Sequence, residues 1–114
     1  MKLFSKTSRN NPPASDVIRL HEQAASLYAA NRSLARPAGD CADSELGLVS
    51  GKNTYVLVTY EDDTALGLFP LGKYAGHGSF IYDNGDFDQH GRITLADADR
   101  IIAAFTPAAL EASR

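Results

Sequence analysis

The chain has 114 residues, 44% apolar and 22% charged, with fourteen acids against eleven Lys and Arg for a formal net charge of −3. That length fits one domain with one core, and the composition excludes a disordered tail, a collagen-like repeat and a coiled-coil rod. The net charge names no partner, but its distribution is uneven: six bases and two acids lie between Met1 and Arg36, against three bases and eight acids between Glu61 and Arg100. The bases stand singly, without a Lys/Arg run or interleaved aromatics, so no nucleic-acid contact is expected. No stretch reaches the roughly 18 apolar residues of a bilayer span, and the segment after Met1 turns polar too soon for a secretory signal, so no membrane contact is expected. Cys41 is the single cysteine and cannot form an intramolecular disulfide. The expected compartment is the cytoplasm, with signal-independent secretion left open.

In chain order, residues 1–14 carry Asn10-Asn11-Pro12-Pro13 and little apolar content, which predicts a loosely ordered lead-in to a single domain over 15–114. Ser15 is placed as the N-cap of a helix whose apolar positions Val17, Leu20, Ala24, Leu27, Tyr28 and Leu34 recur at helical spacing. Pro37 and Gly39 end it, and an irregular link with Cys41 follows. Glu45 to Ser50, Thr54 to Tyr60 and Thr64 to Phe69 are rich in β-branched and aromatic residues and are separated by short polar turns, which predicts three antiparallel strands. Thr54 to Tyr60 is apolar on both faces and is the expected centre of the sheet. After a glycine-rich loop over 70–78, Ser79 to Tyr82 reads as a fourth strand. A last helix runs from Leu95 to about Phe105, its stripe made by Leu95, Ala98, Ile101, Ile102 and Phe105. The predicted fold class is α+β: an N-terminal helix, a three- to four-stranded antiparallel meander and a C-terminal helix.

Before that helix stands Asp86-Phe87-Asp88-Gln89-His90-Gly91-Arg92-Ile93-Thr94-Leu95-Ala96-Asp97. A calcium loop of the EF-hand kind surrounds its ion with oxygens from positions 1, 3 and 5, the carbonyl of 7, often 9, and the carboxylate of 12, with Gly at 6 for the sharp turn. Those ligand places hold Asp86, Asp88, His90, Arg92, Thr94 and Asp97, and Gly91 falls at the turn. With Gly85 ahead and an apolar helix behind, the stretch resembles one calcium-binding segment of the dockerin modules, which lack an entering helix and commonly close the loop with Asp. The resemblance covers about 20 residues. It implies calcium as cofactor, with Asp86, Asp88, the Arg92 carbonyl and Asp97 as ligands. Dockerins carry two such segments and this chain one, so cohesin binding is not carried over. His90 departs from the oxygen ligands that calcium takes, and leaves open either a water in its place or a transition metal such as zinc.

The same residues support a purely structural reading. Thr94-Leu95-Ala96-Asp97 is a capping box, in which Thr94 accepts from the first turn and Asp97 reaches back, and the Asp, Asn and Gly residues ahead of it form turns. Elsewhere, Lys73, Tyr74 and His77 in the 70–78 loop are candidate contacts for a protein partner, and Glu61-Asp62-Asp63 reads as a solvated turn. Cys41 has no local signature of a catalytic thiol, and no catalytic constellation emerges. Two readings follow. One is a small non-enzymatic binding domain with a structural or switching calcium loop at residues 86–97. The other is a metal-free protein-interaction or accessory module that uses an exposed strand edge or the 70–78 loop.

Overall fold

The apolar stripe Val17, Leu20, Ala24, Leu27 and Tyr28 is buried along one side of helix α1 (Ala14–Ala30). The Asn31 side-chain amide donates to the Leu27 carbonyl at 2.9 Å and closes the last turn. A 3-10 turn over Arg32–Leu34 follows, with the Arg32 guanidinium 5.3 Å from the centre of the Tyr28 ring. The computed structural model describes residues 14–38, 42–60, 64–71, 78–83, 86–90 and 93–108. Of the predicted lead-in over 1–14, Ala14 begins α1 and residues 1–13 lie outside these residues, as do Cys41, Glu61 to Asp63, the Lys73, Tyr74 and His77 loop, and Gly91 and Arg92.

Beyond α1, the described strands are β1 (Arg36–Pro37), β2 (Ser44–Ser50), β3 (Asn53–Tyr60), β4 (Ala65–Pro70), β5 (Gly78–Tyr82), β6 (Phe87–His90) and β7 (Thr106–Ala108), with helix α2 (Leu95–Ala103) between the last two. All pairings are antiparallel, in the order β1-β2-β3-β4-β5-β6, and β7 joins the same side of β2 further along, at Gly47 to Val49. β2 and β3 are joined by the two-residue turn Gly51-Lys52, and Gly51 at φ 64 supplies the positive φ that such a hairpin needs at its first position.

The expected three- to four-stranded meander is therefore corrected: it matches β2 to β5, but the sheet has seven strands among the described residues. The three additions are only two, four and three residues long. Two of them hold a proline and β6 holds an aspartate, residues that local propensity argues against in a strand. Their extended state comes from pairing with β2 and β5, not from their own composition. The irregular link at Pro37, the loop at 87–90 and the tail after Phe105 are thus strands over these stretches. β3 does lie inside the sheet and is buried on both faces, as its sequence implied.

The sheet has an inner and an outer face. The inner face presents Leu46 and Leu48 from β2, Tyr55 and Leu57 from β3, Leu66 and Leu68 from β4, and Ile81 from β5, all buried against Val17, Leu20, Ala24 and Leu27 of α1 and Ala98, Ile101 and Ile102 of α2. Phe87 of β6 packs at its margin. Three hydroxyls tie α1 to this face: Tyr28 bonds Ser44, and Ser44 bonds Thr59 at 3.1 Å. The outer face buries Val56, Val58 and Phe69, with Tyr60 and Phe80 packed on them.

Candidate functional site

The sequence-derived ligand set lies on β6 and α2. Ile81 pairs with Phe87, Phe80 with Asp88, Ser79 with Gln89 and Gly78 with His90. Side chains alternate along a strand, so Phe87 turns inward to the core while Asp88 shares the outer face with Phe80. The run from Phe87 to His90 spans about 10 Å in extended form. Asp86 sits at its far end, with its carbonyl accepting from the Tyr82 amide at 3.1 Å. Asp97 sits on the other side of the sheet, in the first turn of α2, where it lines a cleft with Tyr55, Ile93 and Ile101.

A calcium loop must bring its oxygens within about 2.5 Å of one point. Phe87–His90 is extended, Asp88 lies on the outer face with Phe80, and Asp97 lies on α2, which packs on the inner face. Among the described residues no three His, Cys, Asp or Glu side chains gather closely enough to hold a metal ion. The helix start instead takes the capping arrangement: Thr94 is the N-cap and its hydroxyl accepts from the Asp97 amide at 3.1 Å. The Asp97 carboxylate, expected to reach back, lies 3.5 Å from Arg100 one turn on. Ser79, buried on β5, donates to the Ile93 carbonyl at 2.6 Å and fixes where the helix begins.

Among the described residues, three concavities stand out. A cleft of about 430 Å³ lies where the β2–β3 turn, the end of β4 and α2 meet, with Lys52, Asn53 and Asp97 at its polar rim. A groove of about 480 Å³ runs between α1 and α2. Beside it, Arg19 grips Asp99 through two bonds of 3.2 and 3.4 Å, and the bond and charge of Asp99 raise the Arg19 pKa further above its ordinary value. The third, about 260 Å³, lies on the outer face between Tyr60, Thr64, Ala65, Phe80, Tyr82 and Asp83.

The third cavity is the most specific in its chemistry, because its walls are aromatic. The Tyr60 and Phe80 rings meet edge-on with centres 5.2 Å apart, and Tyr82 tilts against Phe80 at 6.1 Å. Phe69 braces Phe80 from behind at 5.7 Å. Asp83 lines the cavity, and Asp88 stands opposite Phe80 on the next strand. Sequence reasoning missed this cluster. Its one visible signal is Phe80-Ile-Tyr82, which puts two aromatics on the face opposite a core isoleucine. No helix among the described residues is long and apolar enough to cross a membrane. No protein family, curated protein or solved structure matches this chain.

Proposed function

We propose that this chain is a small non-enzymatic binding module that takes an extended segment of a protein partner along the outer side of β6. The contrast between the two sides of the sheet carries the reading. On the β2 side the outermost strands are two and three residues long, and each holds a proline, Pro37 and Pro107, that offers no amide to a further strand. On the other side β6 is the last strand of the described order, four residues without proline, held by β5 and by the Phe87 ring packed against the edge of the core. A strand fixed in this way suits recognition by strand addition, with the adjoining aromatic cavity selecting a side chain. A calcium-switching domain is the weaker reading, because residues 87–90 are extended in β6 where that function needs a closed loop.

Selection of a displayed library of short peptides against the full chain tests the proposal. Enriched peptides are expected to shift the backbone amide resonances of Phe87 to Gln89 most strongly. Enriched peptides that instead shift the α1–α2 groove residues, or a library with no enrichment, would overturn it.

A further inference from the structure

We propose that the outer-face cavity walled by Tyr60, Phe80 and Tyr82 takes one cationic side chain, arginine or lysine, of the peptide that adds to β6. The inference deepens the binding-module reading and rests on it only for the origin of the cation. Aromatic faces attract cations whose centre lies within about 6 Å of the ring. Here three rings border one cavity of about 260 Å³, a volume suited to a single side chain and too small for a helix. The rim supplies the opposite charge in Asp83, which lines the cavity, and Asp88 lies across from Phe80 on the next strand. No base lines it among the described residues. An arginine stem would lie along the rings while its guanidinium reaches an Asp.

The same geometry disfavours the other concavities as sites for a charged ligand. The cleft at α2 places Lys52 and Asp97 on one rim, two charges that offset each other. The α1–α2 groove already spends its Arg19 on Asp99. Among its described lining residues the aromatic cavity carries one charge, the Asp83 carboxylate, beside rings that attract the opposite sign.

The test is a resonance titration of the full chain with N-acetyl-arginine amide and with the neutral N-acetyl-citrulline amide. Neither has an extended backbone to pair with β6, so the cavity is tested apart from the edge. The arginine probe is expected to shift Tyr60, Ala65, Tyr82 and Asp83 saturably, and the citrulline probe to bind at least about fivefold more weakly, the loss of one cation–aromatic contact. Asp83→Asn with Asp88→Asn should weaken the arginine probe by a similar factor while leaving the amide spectrum folded. Equal binding of the two probes, shifts centred on Lys52, or unchanged binding by the double Asn variant would overturn the inference. Tighter probe binding after Lys2→Gln, Lys6→Gln and Arg9→Gln would assign the cavity to this chain's own bases and overturn it as well. Selected peptides that line β6 but contain no base would leave the edge reading standing and remove the cation.

Discussion

The two faces of the sheet bury comparable side chains by different means. On the inner face Leu46, Leu48, Leu57, Leu66 and Leu68 are shielded by a second layer, the paired helices. On the outer face small residues make the floor and aromatic rings lie across it. A Cβ added to Gly67 would come 2.8 Å from Phe69 Cε1 and 3.1 Å from Tyr60 Cε1, so both rings rest on the glycine. Val56 and Val58 are fully buried with no described helix above them. A layered face gains stability from volume filled, and a ring-on-glycine face gains it from close backbone approach. The second arrangement also leaves a cavity on that face, lined by Tyr60, Phe80 and Tyr82.

The sharpest test of that division is Leu57→Ala against Val56→Ala, neighbours on β3 that point to opposite faces. Leu57→Ala opens a cavity between the sheet and two helices and is expected to cost about 3 to 4 kcal/mol in urea unfolding. Val56→Ala removes less volume under adjustable rings and should cost about 1 to 2 kcal/mol. Equal costs would break the comparison. Next comes the outer-face ion pair. Glu45 is fully buried and its Oε2 accepts from Arg36 Nε at 3.0 Å. Removing the guanidinium leaves a buried carboxylate short of its cation, so Arg36→Ala should cost about 3 kcal/mol, and Glu45→Gln in the same background should recover part of it. Gly78→Ala follows at about 2 kcal/mol, because its Cβ would strike the Leu68 carbonyl oxygen and the Phe69 ring. Gly67→Ala should cost less, since its nearest neighbours are rings that can pivot.

The inner face was legible in the sequence and the outer face was not, for a physical reason. Leucines at alternate positions of β2 to β4 and the helical stripes of α1 and α2 are local patterns that state which side is buried. The outer face depends on register. Phe80 lies over the sheet beside Tyr60 and Phe69 because Gly67 pairs with Phe80 and Val58 with Gly67, and no window of sequence contains both contacts. The pairing of β7 with β2, Gly47 opposite Ala108, is equally nonlocal. At β6 the sequence supported two incompatible readings. Asp-x-Asp-x-His is a ligand spacing in a loop and also a pattern that a strand accommodates, and Phe87 to His90 form a strand paired with β5.

The smallest expected effects concern α2, and they test whether the sheet really divides the acids of residues 86–97. Thr94→Ala removes the hydroxyl that accepts from the Asp97 amide and should cost about 1 kcal/mol, the usual worth of an N-cap, whether or not calcium is present. Asp86→Ala with Asp88→Ala changes side chains at the far end of β6 and on the outer face, away from that cap, and should shift the melting midpoint by less than about 2 °C. A ligand that binds only the folded state raises the midpoint by mass action, so millimolar calcium discriminates between the arrangements. With Asp88 and Asp97 on opposite sides of the sheet, calcium and chelator should give the same melting curve. A rise of several degrees with calcium that the double Asp variant abolishes would mean that β6 leaves the sheet to close on the ion, and the separation of the two faces would then hold only in its absence.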